Sequence, residues 1–540
     1  MHSIAVFTER GRFLLKFHYH PLTVAIVKSI PGRMFDGSIK TWTFPATASA
    51  AGNIHQVFKE RDIVCIPDAK FKVFLSQYRE GQRVLTHPEE VELPDSKTPL
   101  FDHQKAGLRL LMVRNAVYLA WQMGTGKTLP VTVLCEEAEM KRVLVACPKS
   151  VIDSWPVQFE RHTHGPYRCL PLRKGSVKKR LEEAQKFLAR GPGAVILNHE
   201  AVWREPFGPW ALEQDWDLVV VDEAHRISEA RTKVSSFFAS LRPRARKRVA
   251  LSGTPIPNTP LSLFGQMKFL DPGLFGTSFM SFRNRYAVMG GWRAKEVVAF
   301  KNLDDLHEKF YTVAHRVTKE EALDLPETVD EKMTFELSPS AQKIYNSVEG
   351  SFKTQIDKGT ITAANALVEL LRLQQITGGT VGTDQKTKQK VDEGKEKLLT
   401  EYLQNVNDKE PIIVFCRFHS DLEAVHRASH KAGRESLELS GRKNDLIEWQ
   451  NPDELPKVLA VQIQAGGVGV DMTRSAYCVY YSLGFSYADY EQSRARLDRQ
   501  GQTRSVTFTH LIAEKTVDKK VYQVLQKKGN VIQEILKDFS

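Results

Sequence analysis

No run of roughly 18 or more apolar residues occurs in this 540-residue sequence, so no membrane-spanning helix is expected. The opening, MHSIAVFTERGRF, has no basic segment followed by a long apolar core, and no export signal is expected either. The chain is therefore expected to stay where it is made, in the cytoplasm. Cysteine is scarce. The six, Cys65, Cys135, Cys147, Cys169, Cys416 and Cys478, are scattered, which reads as reduced thiols rather than disulfides or a zinc site. The pairs His18, His20 and His162, His164 lack further ligand spacing and are read as structural. Internal repeats and extended low-complexity tracts are also missing, which excludes a repeat array.

Acidic residues are in the minority. Asp and Glu number 64 against 76 Lys and Arg, a formal charge of +12 that favours a polyanionic partner without naming it. Hydrophobic content of 42% and charged content of 26% fit a folded protein. The length exceeds what one core normally organises, so two or three domains are expected.

Residues 1–95 read as a small α+β module, with AVFTERGRFLLKF alternating about a Glu9-Arg10-Gly11 turn like a hairpin. From residue 96 to 325 short, doubly apolar runs (NAVYLAW, RVLVACP, GAVILNH, WDLVVVDE, KRVALSGTP) alternate with helical segments, the pattern of a parallel sheet covered on both faces. A second set follows from 411 to 540 (PIIVFCRF, ESLELSG, KVLAVQI, YCVYYSL, VTFTHLIA). Two tandem α/β domains are the inference. Residues 326–410 read as a helical insertion, with Ser338 as cap and Pro339 in the first turn, followed by a polar, mobile connection from residue 377. TVDKKVYQVLQKKGNVIQEIL near the end reads as an amphipathic helix.

LAWQMGTGKTLP, residues 119–130, ends like a phosphate-cradling loop but carries Trp121 where G-x-x-x-x-G-K-[ST] opens with glycine. Gly124 and Gly126 allow backbone N–H groups to turn toward phosphate at a helix start. Lys127 can reach the β and γ phosphates, and Thr128 can ligate Mg²⁺. Downstream, LVVVDEAHRI places Asp222 and Glu223 at the end of an apolar strand. There Asp222 would serve Mg²⁺, and Glu223 would orient and deprotonate the attacking water.

Nine blocks in order, FDHQKAGLRLL, AWQMGTGKT, VACPKSVIDSW, VILNHEAV, VDEAHRISEARTK, LSGTPIPNTPLSLFGQMKFLDPGLFG, VFCRFHSDLEAV, QAGGVGVDMT and EQSRARLDRQGQ, resemble the Swi/Snf-type ATPases, the DNA translocase branch of helicase superfamily two. The resemblance implies two RecA-like domains, ATP and Mg²⁺ as cofactors, and DNA-dependent ATP hydrolysis. Met123, Gly124, Thr125, Gly126, Lys127 and Thr128 would form a working loop of the family's variant type, in which alanine opens the motif. Trp121 and Gln122 depart from it by replacing the usual acidic pair. Gln104 resembles the glutamine that reads adenine, and Gln492, Arg496 and Arg499 match the final block. Those arginines would meet charge on the γ-phosphate, so that closure of the two lobes couples chemistry to movement. Ser252 and Thr254 match the block that links hydrolysis to DNA contact.

Loops at the carboxyl ends of parallel strands form the binding face of such sheets. The candidates there are Pro148, Lys149, Ser150, Asn198, His199, Arg417, His419, Ser440, Gly441, Arg442, Gln464, Ala465 and Gly466. Their N–H groups, hydroxyls and cations suit phosphate, so sequence-tolerant, salt-sensitive binding of double-stranded or branched DNA is expected. The densest basic run, RPRARKR over residues 242–248, reads as a solvated approach to a strand or as a further DNA contact. FHYHPLTVAIVKSIPGRMFDGSIKTWTFP, centred on Ile30, Pro31, Gly32, Arg33, Phe35, Asp36 and Trp42, resembles the HARP module of annealing helicases. That likeness implies a grip on branched or partly single-stranded DNA. The reading is a monomeric translocase that remodels or anneals forks or strips bound protein, with single-stranded DNA or replication proteins as further contacts. Its rivals are a strand-separating helicase, a non-hydrolysing DNA clamp and the motor subunit of a restriction complex.

Overall fold

The computed structural model describes residues 3–257, 259–291, 296–357, 363–382, 388–451, 455, 457–464, 470–499 and 501–536. It divides into two compact units, the second formed by Leu323–Gln533 and the first by Met1–Ala322 with the residues from Glu534 onward.

The first unit begins with a five-stranded mixed sheet. Strands Ser3–Glu9 and Arg12–Lys16 form the expected hairpin, and the first also pairs in parallel with Val64–Pro67. Met34–Asp36 and Thr41–Pro45 make a second hairpin, and Thr41–Pro45 also pairs antiparallel with Arg12–Lys16. Helices Ala48–Glu60 and Ala69–Thr86 cover the sheet. Ile4, Val6, Phe13, Ile54, Phe58 and Phe71 close the core, and the Phe13 and Phe71 rings meet edge to face at 4.8 Å. Trp42 is only half-buried, against Phe35 at 5.1 Å.

The same unit continues into a seven-stranded sheet in the order Ala314–Val317, Ala116–Trp121, Ala245–Leu251, Trp216–Asp222, Arg142–Cys147, Gly193–Asn198, Cys169–Pro171. Every pairing in it is parallel. Strands Ala116–Trp121 and Gly193–Asn198 are buried along their whole length, as double coverage by helices requires. This strand order brings the ends of Ala116–Trp121, Ala245–Leu251 and Trp216–Asp222 side by side.

The second unit is a six-stranded, all-parallel sheet in the order Val329–Phe335, Thr507–Ala513, Tyr477–Tyr480, Ile412–Cys416, Val458–Gln462, Ser436–Leu439. Alternate residues feed two cores, Ile412, Val414 and Cys416 on one face, Ile413 and Phe415 on the other. The chain is thus α/β, with two parallel-sheet domains of the RecA-like kind behind a small α+β module.

Two sequence expectations change here. Val329–Phe335, inside the stretch read as helical insertion and linker, is a strand, disguised by Asp330, Glu331 and Lys332 in a row. The stretch read as a mobile connection holds a short antiparallel pair, Thr380–Gly382 with Lys388–Lys390. Helix Pro339–Asp357 starts where expected, with Ser338 Oγ accepting the Ala341 N–H at 3.4 Å. The late amphipathic helix spans Val517–Leu536. All six cysteines are free, and among the described residues no helix is long and apolar enough to cross a membrane.

Candidate active site

The nucleotide loop leaves the end of strand Ala116–Trp121 and enters helix Thr128–Glu137. Gly124 and Gly126 have φ of 89° and 79°, a region only glycine occupies without strain. A Cβ on Gly126 would also stand 2.4 Å from Gln104 Nε2. Gln104 is buried at the start of helix Asp102–Val113. Its Oε1 accepts from the Phe101 N–H at 3.0 Å, and its Nε2 donates to the Thr125 and Gly126 carbonyls at 3.3 and 3.5 Å. The residue expected to read adenine therefore also braces the loop from behind. Lys127 Nζ donates to the Trp121 and Gln122 carbonyls at 2.9 and 3.2 Å, and Thr125 Oγ1 donates to the Gln122 carbonyl at 2.8 Å.

Trp121 and Gln122, the departures from the acidic pair, fix the loop to the neighbouring strand. Trp121 Nε1 donates to His315 Nδ1 at 2.8 Å, and its ring meets His103 edge-on at 5.0 Å. The indole fits because position 107 is glycine; a Cβ there would lie 2.4 Å from it. Burial, with His103 nearby, pulls His315 down to about 4, so its ring is neutral and can accept the indole proton. Gln122 Oε1 accepts the Lys319 N–H at 2.9 Å. The packing is closed.

Asp222 ends its strand with Oδ1 accepting the Glu223 N–H at 3.0 Å and Oδ2 accepting from Trp155 Nε1 at 3.3 Å. Burial, then the Glu223 charge, pushes its carboxyl up to about 7, against the pull of Lys127. Two adjacent carboxylates that Lys127 only partly compensates are a fitting donor set for a divalent cation. Asp222 and the loop's Thr128 are the residues that would hold such an ion. Glu223 is 2% exposed and sits in the left-handed region, φ 52° and ψ 54°. A non-glycine residue held there stores about 1 kcal/mol or more of strain, a price met where an orientation is functional.

From Glu223 a chain of contacts crosses to the adjacent strand. His225 Nδ1 lies 3.3 Å from Glu223 Oε2 and 3.1 Å from Ser252 Oγ. Ser252 Oγ in turn accepts the Thr254 N–H at 3.1 Å. Ser252 is fully buried and Thr254 nearly so. Met123 packs where Gly253 has no side chain, its Cγ 3.1 Å from the position a Cβ would take. Nucleotide loop, carboxylate pair and Ser252-Gly253-Thr254 turn form one connected group. Sequence reading missed His225 and Trp155 because neither is a reacting group. The fixed step of two residues from Glu223 to His225 was the available signal.

The expected DNA contacts divide. Lys149 and Ser150 are exposed at the end of strand Arg142–Cys147, beside the buried Pro148. His419 and Gln464 are exposed in the second unit. His199 corrects the expectation. It is 2% exposed, its Nε2 stands 2.7 Å from the Asp222 carbonyl oxygen, and burial with Arg226 nearby pulls it to about 4. It props the carboxylate strand and cannot face phosphate. Asn198 is likewise turned inward, accepting from Arg180 at 2.9 Å and donating to Glu200 at 2.7 Å. Arg417 donates to Gln374 Oε1, and Arg442 grips Glu438 bidentately at 2.8 and 3.1 Å. Ser440 donates to the same carboxylate, which these donors and His426, against burial, hold down to about 2. Ala465 and Gly466 lie outside the described residues.

In the second unit Gln492 is half-buried on helix Tyr487–Arg494. Arg496 is 4% exposed, and Arg499 donates to the Val470 carbonyl at 3.4 Å. Arg494, not anticipated, pairs with both oxygens of Asp330 at 2.5 and 3.0 Å and stacks 3.9 Å above the Phe508 ring. This fixes the unforeseen strand to the final block.

Comparison with known proteins places this geometry. Residues 103–380 match the family model of the SNF2-related domain, and residues 394–501 match the helicase conserved C-terminal domain. An uncharacterised ATP-dependent helicase of Mycoplasma genitalium is 24% identical over 430 residues, 77% of this chain and 40% of that protein. The Caenorhabditis elegans homolog of SWI/SNF-related matrix-associated actin-dependent regulator of chromatin subfamily A-like protein 1 is 22% identical over 540 residues, 97% of this chain and 74% of that one. The DNA annealing helicase and endonuclease ZRANB3 of Mus musculus is 24% identical over 461 residues, 81% of this chain and 41% of that one. The chain thus spans less than half the length of two of these three relatives.

Proposed function

The chain belongs to the SNF2-related domain family, and from that premise we propose that it is a DNA-dependent ATPase that translocates on double-stranded DNA, remodelling or annealing forked DNA or displacing bound protein. The observation that carries the reading is the contact chain Glu223–His225–Ser252, which joins the water-activating carboxylate to the turn at Thr254. Likeness to an annealing helicase supports the finer task.

In this reading the loop from Met123 to Thr128 cradles the phosphates and Gln104 selects adenine. Thr128 and Asp222 would hold Mg²⁺, which would supply positive charge to the phosphate oxygens. Glu223 orients the attacking water and takes its proton, its direction set by the left-handed backbone and by His225. Gln492, Arg496 and Arg499 belong to the same reaction, the arginines as donors to the γ-phosphate oxygens while charge develops on them. Lys149, Ser150, His419 and Gln464 are the phosphate contacts exposed for the DNA path.

Phosphate release measured against single-stranded, duplex and forked DNA tests the proposal, together with release of a triplex-forming third strand. Stimulation by duplex and ATP-driven release of the third strand are expected. Unwinding of a plain tailed duplex in place of third-strand release would favour a strand-separating helicase.

A further inference from the structure

The basic run over residues 242–248 has no part in the site above, and its position in the fold gives it one. The small module docks on the seven-stranded domain, with Asn53 Nδ2 donating to the Gly273 carbonyl at 3.1 Å and Arg114 donating to the Gly81 carbonyl. Between them lies a cavity of about 450 Å³, within the size range of ligand sites. Lys70 and Arg10 line it from the module, and Arg114, Arg242, Arg246 and Arg248 from the domain.

Among the described lining residues the single carboxylate is Asp271, and it already accepts the Gly273 N–H at 2.8 Å. Arg248 donates to the Leu270 and Ala245 carbonyls at 3.0 and 2.9 Å, which are neutral acceptors. Arg246 has a counter-charge in Asp217, 3.5 Å away and outside the cavity lining. Burial pulls Arg114 and Arg248 down to about 10 and lowers Arg242, with Asp271 opposing in each case. These guanidinium groups stay charged at neutral pH. Arg10 likewise has a counter-charge in Glu9, 4.0 Å away and outside the lining. The remaining four cations, Lys70, Arg114, Arg242 and Arg248, share one committed carboxylate across a water-accessible hole, an arrangement that a multivalent anion would stabilise.

We propose that this seam cavity is a phosphate-binding site, separate from the nucleotide loop, in which a ligand phosphate bridges Lys70 of the module and Arg242 of the ATPase domain. The phosphate can come from a nucleic-acid backbone or from a free polyphosphate. In either case its binding fastens the module to the domain.

The test uses the full chain carrying Lys127→Ala, which removes the loop cation that would itself take phosphate, titrated calorimetrically with inorganic pyrophosphate. Binding is expected, and adding Lys70→Ala and Arg242→Ala should weaken it about tenfold or more, equivalent to roughly 1.4 kcal/mol or more. Arg242→Lys should retain most of it. Lys70 is exposed, so Lys70→Ala alone keeps the fold and should still weaken binding measurably. A duplex oligonucleotide titrated at several salt concentrations separates the sources. Displacement of duplex by pyrophosphate, with a log–log salt slope lower by about 1–2 in the double variant, assigns the site to the DNA backbone. Unchanged duplex binding with weakened pyrophosphate binding assigns it to free polyphosphate. No binding of pyrophosphate to the Lys127→Ala chain, or binding indifferent to both added substitutions, overturns the proposal.

Discussion

His225 Nδ1 stands 3.3 Å from the Glu223 carboxylate and 3.1 Å from the Ser252 hydroxyl, so one imidazole touches both the expected water-activating group and the neighbouring turn. If that ring carries the coupling, its loss should spare nucleotide binding and damage stimulation.

His225→Ala is expected to lower DNA-stimulated ATP hydrolysis about tenfold, equivalent to roughly 1.4 kcal/mol in the barrier. The KM for ATP should stay within about twofold, because no phosphate contact is removed. Steady-state phosphate release with and without duplex reads both quantities. An equal fall in basal and stimulated rates would place His225 in the chemistry rather than in the coupling.

Trp121→Phe keeps the buried ring and removes the indole N–H, leaving His315 Nδ1 without its donor. The expected loss is about 1–2 kcal/mol of stability for the first unit, read as a lowered melting temperature. Adding His315→Phe removes the stranded acceptor and should recover part of the loss. A double-mutant cycle with no coupling would contradict the role given to this pair.

Gly126→Ala is expected to raise the KM for ATP about tenfold or more, because the alanine must adopt a φ near 79° and its Cβ meets Gln104 at 2.4 Å. The same substitution at Gly433, where φ is 73° and the space is open, carries the backbone strain alone and should leave the KM unchanged.

Glu396 sets an acid limit for the second unit. Burial alone would raise its carboxyl, but Lys431 at 2.7 Å, Arg427 at 3.0 Å and Lys390 at 3.2 Å hold it down to about 2. The folded value lies below the ordinary 4.5, so its contribution is complete above that pH and is lost as pH falls from 4.5 toward 2. After allowance for the partly exposed cations it amounts to about 2 kcal/mol. Glu396→Gln should lower the melting temperature at pH 7, with the difference from wild type shrinking as pH falls below 4.5.

The sheets were readable because their central strands are apolar runs, as at Leu218, Val219, Val220 and Val221 and at Ile412, Ile413, Val414 and Phe415. Val329–Phe335 escaped because it is largely exposed and charged, its place in the sheet set by pairing with Thr507–Ala513. The glycines, Lys127, Asp222 and Glu223 were legible because phosphate chemistry constrains residue type and spacing together. His199 was misplaced because a strand-end histidine looks the same in sequence whether it faces solvent or, as here, the Asp222 carbonyl. The positions of Trp155 and of the arginines at the seam depend on contacts between segments far apart in the chain, which no local pattern encodes.

The most direct measurement of the central claim is ATP-dependent release of a third strand from a DNA triplex by wild type and by Glu223→Gln, with phosphate release followed in parallel. The account predicts duplex-stimulated hydrolysis and strand release by wild type, and a loss of both by about a hundredfold or more in the variant. Equal behaviour of the two proteins, or no stimulation of wild type by duplex, would contradict it.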